Sequence, residues 1–171
     1  MTDLYRGLER AMRMDDAVWR RHANPWSGWS RVTILPLFCL AIWARVWIGH
    51  WSWALVLLLV LWTWLNPRVF PEPARLTNWM SRGVMGEYLF LHHRDAIAAH
   101  HGRAAHILAT LSLPGFLVMA WGLWALWWEG VVFGCALTVL PKMWFIDRMV
   151  WILEDWRAGG RMMPNWEDRH V

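Results

Sequence analysis

The chain has 171 residues, 57% hydrophobic and 18% charged, with a formal net charge of +4. Its charges are withdrawn into three blocks, roughly 1–31, 66–106 and 147–171, leaving apolar sequence between them. A soluble domain of this length would interleave charges along every helix to keep one face wet, so the pattern excludes an ordinary water-soluble fold and points to a bilayer. The basic balance does not indicate nucleic acid, because cytoplasmic-side Arg residues meet anionic lipid first, at ~1 kcal/mol each near the surface.

In chain order, Leu4, Leu8, Ala11, Met12, Val18 and Trp19 recur at helical spacing, with Arg6, Arg10, Arg13 and Arg20 on the other side. They predict an amphipathic helix at about 4–21 on the inner leaflet. Two almost uncharged stretches, 32–65 and 107–146, are each about twice the ~17–25 residues that one spanning helix needs. Breaks at Gly49-His50 and at Trp127-Trp128-Glu129-Gly130 divide them into spans at about 32–48, 51–65, 107–126 and 131–146. The expected fold is all-α: a four-helix transmembrane bundle of two hairpins, with interfacial amphipathic helices on the cytoplasmic side. A re-entrant hairpin is the alternative for the short second span. After it, Pro67, Pro71 and Pro73 predict a rigid, extended exit. Trp79, Met80, Val84, Tyr88 and Leu89 predict a second amphipathic helix within an interfacial segment at about 77–105, and a polar, mobile tail is expected at about 159–171.

Many of the 18 tryptophans cluster at the two ends of these spans, as indole prefers the interface. Arg residues fill the segments before the first span, between the hairpins and after the last, while only Arg45 lies near the hairpin turns. The positive-inside rule then places both termini and the central loop in the cytoplasm. No cleavable signal peptide is expected, so the first span would serve as the insertion signal.

Leu35-Pro36-Leu37-Phe38 with Trp43 aligns with Leu113-Pro114-Gly115-Phe116 with Trp121, a parallel repeat that predicts proline kinks at matching depth in the first and third spans. Gly115, Gly122 and Gly134 predict close helix approach. Arg45 and Glu129 are expected to pair across the hairpins. Cys39 and Cys135 are expected to be free thiols at different depths.

The motifs HANPWSGWSRV, WLNPRVFP and PKMWFIDRMVWILED together resemble a family of small, functionally uncharacterised prokaryotic membrane proteins, over about 22–155. The resemblance implies a multi-helix fold in a prokaryotic cytoplasmic membrane. It brings no activity, cofactor or catalytic residue.

Two clusters carry candidate chemistry. His92, His93, His100 and His101, with Glu87, Asp95 and His106 nearby, have the residue types that hold a transition metal such as Zn or Fe. The competing reading is a half-exposed interfacial loop touching lipid phosphates. The second cluster collects at the cytoplasmic ends of the spans. Arg31, Arg68, His106, Lys142 and Arg148 are candidates for an anion or lipid headgroup, beside a polar and acidic group of Asn66, Asp147, Glu154 and Asp155. An intramembrane ammonium such as Lys142 is costly enough to need a partner or a wet cavity, unless it snorkels to the interface. Arg148 pairing with Asp147 or Asp155 merely to hold helix ends is the plainer alternative.

The sequence holds no GxSxG, P-loop, HExxH or GxGxxG pattern. Three classes of function remain: a non-catalytic, self-associating or accessory membrane component; a small transporter or channel using the Lys/Asp/Arg cluster; and a metal-dependent or lipid-modifying enzyme using the central histidines. Expected partners are anionic lipids and a homo-oligomer or larger membrane complex.

Overall fold

Capping residues decide where the first helices start in the computed structural model, which describes residue 7 and residues 11–164. The Asp15 side chain accepts from the Val18 N–H at 2.8 Å and opens α1 (Asp16–His22). Asn24 accepts from the Trp26 N–H at 3.0 Å and opens α2 (Pro25–Val32), with Pro25 at a position where its missing N–H costs nothing. The helix predicted over 4–21 is therefore interrupted: Arg13 has φ 47° and a new helix begins at Asp16. Leu4, Arg6, Leu8 and Arg10 lie outside the described residues.

The α2 helix ends before Thr33, and α3 (Ile34–Trp43) follows. Pro36 accounts for the break, since its ring crowds the Val32 carbonyl and it donates no hydrogen bond there. It then sits in the first turn of α3, whereas Pro114 lies in a helix interior, so the two prolines of the supposed repeat act differently. A short α4 (Arg45–Ile48) leads to Gly49, whose φ of 56° and ψ of −132° suit glycine alone, and a 3-10 turn (Gly49–Trp51) reverses the chain. The returning helix, α5 (Ser52–Val69), packs against α3.

Asn78 caps α6 (Trp79–His92) through the Met80 N–H, at 2.9 Å. After a 3-10 turn (Arg94–Ala96) come α7 (Ala99–Ala125) and α8 (Trp128–Ala158), joined through Leu126 in the left-handed conformation. These two pack along their lengths. A side chain on Gly134 would overlap the Met119 backbone, and a Cβ on Gly115 would lie 2.7 Å from the Leu137 carbonyl carbon, so the glycines permit the close approach that the sequence predicts.

The described residues are helical, with no strand among them. Three helical stretches are long and apolar enough to cross a membrane: Pro25–Val69, Ala99–Ala125 and Trp128–Ala158. The first includes the reversal at Gly49. Large apolar side chains on these stretches face outward, with Leu57 69% and Trp51 78% exposed.

The larger core lies at one end of the helices rather than between the apolar stretches. Trp19, Val84, Met85, Tyr88, Leu89, Phe145, Met149 and Leu153 pack there, drawn from α1, α6 and α8. Most of the α6 side chains are thus buried, and the helix packs against α8. A side chain on Gly86 would overlap the Met149 carbonyl, so this glycine lets α6 seat against α8.

A smaller cluster of Cys39, Met119, Leu123 and Val131 lies between α3, α7 and α8, and Cys135 packs against it. Both cysteines are free thiols, as expected, but they are neighbours, because α3 lies against α8. Arg45 joins the hairpins differently from its expected pairing with Glu129. Its guanidinium donates to the Ile42 carbonyl at 3.1 Å, to the Leu123 carbonyl, and to the Trp124 carbonyl at 3.4 Å. Open carbonyls at the negative end of α7 attract the cation. Beyond α8, Arg161 donates to the Ala96 carbonyl at 3.0 Å, which ties the start of the tail to the central turn; residues 165–171 lie outside the described residues.

Candidate functional site: a polar network and a charged cleft

The residues of HANPWSGWSR wrap one corner of the larger core, where α1, α2 and α5 meet. Asn24 donates from Nδ2 to the Pro71 carbonyl at 3.0 Å, tying α2 to the chain beyond α5. Behind it runs a relay of side chains. Arg31 Nη1 lies 2.9 Å from His22 Nε2, and His22 Nδ1 lies 2.9 Å from Ser27 Oγ. Ser27 Oγ donates to Asn66 Oδ1 at 2.9 Å, Asn66 Nδ2 donates to Ser30 Oγ at 2.7 Å, and Ser30 Oγ donates to the Ser27 carbonyl at 3.1 Å.

The relay has one direction. A guanidinium can only donate, so His22 Nε2 accepts from Arg31, which leaves the proton of the neutral ring on Nδ1, facing Ser27. Burial pushes the His22 imidazole well below its ordinary range, and the charges of Arg31 and Lys142 lower it further. His22, Ser27 and Asn66 are buried, so each link replaces water that cannot reach the groups.

Arg31 and His22 also line a cleft of about 200 Å³ between α2, α6 and α8. Gly28 and Gly83 lie on its walls, and Glu87 and Lys142 add the remaining charges. Two cations and one carboxylate around a neutral imidazole leave the lining net positive. Lys142 Nζ lies 4.4 Å from the centre of the Phe145 ring and has no ion pair among the described residues. The site can therefore draw a negative group, with apolar walls from Val32, Leu35 and Met143 beside it.

The other proposed anion ligands are elsewhere. Arg68 lies over the Trp64 ring at 4.1 Å and donates to the Trp64 and Met12 carbonyls, binding the N-terminal segment to the end of α5. His106 is exposed on α7 beside Arg94, Asp95 and Arg103, and Arg148 is half-buried on α8 outside the cleft.

The acidic cluster is engaged by neighbouring side chains, mostly on other helices. Asp147 accepts from Trp79 Nε1 at 3.2 Å, Glu154 pairs with Arg82 at 2.5 Å and with Arg157 at 3.7 Å, and Asp155 Oδ2 lies 2.7 Å from His101 Nε2. Of the central histidines, His100 and His101 are adjacent, with ring centres 4.1 Å apart. His92 stacks on Tyr88 at 4.3 Å, and His93 tilts against Trp156 at 5.6 Å.

The three sequence motifs meet here: HANPWSGWSR supplies the relay and one cleft wall, the Asn66-Pro67 step closes the relay, and Lys142 of PKMWFIDR faces the cleft. Residues 5–168 match the pattern of a family of unknown function (DUF6653). The chain belongs to that family. No curated protein and no solved structure matches it. DUF6653 itself carries no assigned activity, so the chemistry of the site must be read from its own residues.

Sequence reasoning passed over His22, Ser27 and Ser30 as site residues. The available signal was the Asn24-Pro25 helix start with hydroxyls at positions three apart, which puts Ser27 and Ser30 on one face of α2.

Proposed function

We propose that the chain crosses a prokaryotic cytoplasmic membrane four times and serves as a non-catalytic, accessory component that holds the phosphate of an anionic lipid in the cleft. The crossings are α3–α4, α5, α7 and the apolar part of α8, packed as two hairpins, with the Arg-rich segments on the cytoplasmic side. Outward-facing Leu57, Leu58, Val132 and Phe133 support contact with acyl chains, and exposed Trp51, Trp121 and Trp128 at the turns suit the interface. The observation that carries the ligand is the convergence of Arg31 and Lys142, from two separate helices, on one cleft with a net positive lining, where Lys142 makes no ion pair among the described residues.

The test is lipid retention. Protein released from nanodiscs of mixed phosphatidylglycerol and phosphatidylcholine is weighed by native mass spectrometry. One retained phosphatidylglycerol is expected, and Lys142→Met lowers its retention about tenfold, equivalent to ~1.4 kcal/mol for a charge-assisted contact. Equal retention of the two lipids, or no effect of Lys142→Met, overturns the reading.

A further inference from the structure

The last turn of α8 meets the first turn of α7 at the end of the hairpin away from Leu126. Asp155 comes from the first of these, and His100 and His101 from the second. Each offers one ligand atom, and the three atoms lie within 4.8 Å of one another. We propose that His100, His101 and Asp155 bind a divalent first-row transition-metal ion, with Zn²⁺ and Fe²⁺ as the best-suited cations. This site is separate from the lipid cleft and does not depend on it.

The donor chemistry fits. Two imidazoles and one carboxylate form a nitrogen and oxygen set that suits Zn²⁺ and Fe²⁺. Metal–ligand bonds of ~2.0–2.2 Å put neighbouring ligand atoms about 3–3.5 Å apart in a tetrahedral or octahedral shell. His101 Nε2 and Asp155 Oδ2, at 2.7 Å, already stand at nearly that spacing. The remaining separations, no more than 4.8 Å, need to close by at most about 1–2 Å. His100 and Asp155 are exposed, while His101 is 2% exposed and held in place.

The buried His101 fixes the position of the site, and the two exposed ligands close on the ion as it binds. His101 Nδ1 is buried with no hydrogen-bond partner among the described residues, and the ring's polar contact there runs through Nε2, towards Asp155. The hydrogen bond there occupies the position that a cation would take between imidazole and carboxylate. The two helix ends oppose each other: the N-terminus of α7 repels a cation and the C-terminus of α8 attracts one, so the backbone leaves the choice to the side chains. Nearby cations are engaged elsewhere, Arg157 with Glu154 and Arg161 with the Ala96 carbonyl.

Three protein ligands leave at least one position for water, as in open rather than closed metal sites. A bound ion would also clamp the free end of the α7–α8 hairpin, which is otherwise joined through Leu126 at the far end.

The experiment is calorimetric titration of Zn²⁺ into the full chain, without an affinity tag, in zwitterionic nanodiscs. One ion per chain is expected, with at least tenfold weaker binding in both His100→Ala and Asp155→Asn. His100 is exposed, and Asp155→Asn keeps an oxygen that accepts from His101, so the variants keep the fold. His92→Ala and His93→Ala are expected to bind as the unaltered chain does. Absence of one-to-one binding, unchanged affinity in His100→Ala and Asp155→Asn, or an equal loss in His92→Ala and His93→Ala overturns the proposal.

Discussion

Asn66→Ala removes the joint that holds α2 to α5. Asn66 is fully buried, accepts from Ser27 Oγ at 2.9 Å and donates to Ser30 Oγ at 2.7 Å. Two lost hydrogen bonds account for about 2 kcal/mol, and the buried Ser27 hydroxyl, left without an acceptor, adds about 1–3 kcal/mol. Interhelical hydrogen bonds within bilayers average nearer ~0.6 kcal/mol, so a total of about 3 kcal/mol or more separates a closed buried network from ordinary helix contacts. The assay is reversible unfolding in mixed micelles, with Ser27→Ala and the double variant completing a cycle. A coupling of about 1 kcal/mol or more is expected between the two positions. A loss below about 0.5 kcal/mol in Asn66→Ala, or strict additivity in the cycle, refutes the relay as a stabilising unit.

His22 sets an acid limit on stability. Its folded-state pKa is depressed, so below about pH 6.5 the unfolded chain takes up a proton that the folded chain does not. Stability is therefore full above that pH and falls as the pH drops below it, by up to about 1.4 kcal/mol per pH unit, until the folded ring also protonates. Unfolding of the unaltered chain and His22→Gln at about pH 7.5 and about pH 5.5 checks the sign, and equal acid sensitivity in both would refute it. Gly134→Leu forces a side chain into the Met119 backbone and is expected to cost about 2–3 kcal/mol, read by the same unfolding assay; a neutral result would contradict the close helix approach. Arg45→Met uncaps the end of α7 and is expected to cost about 1–2 kcal/mol, whereas Glu129→Gln, which removes no contact of Arg45, leaves stability unchanged.

The apolar stretches and their reversals were legible because runs without charge and a glycine at Gly49 carry their meaning locally. The α6 helix was not, since Val84, Tyr88 and Leu89 make the same helical stripe whether it faces lipid or other helices. Only Gly83 and Gly86, three apart on one face of the helix, hinted at a helix neighbour. Arg31 and Lys142 were placed at similar depth from the charge pattern, and the fold brings them to one cleft. The relay could not be read in the same way: Ser27 and Asn66 are 39 positions apart, and polar residues there signal nothing until α5 is seen against α2. Asp155 was assigned to the anion end, yet it lies against His101, 54 positions earlier, because α8 runs back along all of α7. Arg45 was misassigned for a related reason, as charge pairing with Glu129 is visible in a sequence and open helix carbonyls are not.

Membrane topology tests the central claim most directly. In a chain carrying Cys39→Ala and Cys135→Ala, single cysteines are introduced by His50→Cys, Arg75→Cys, Glu129→Cys and Gly160→Cys. They are then labelled with a membrane-impermeant maleimide in intact spheroplasts and after lysis. Four crossings with the arginine-rich segments inside predict that positions 50 and 129 react from outside, and that positions 75 and 160 react only after lysis. Labelling of position 75 from outside, or recovery of the chain in the soluble fraction with all four positions reactive, would contradict the account.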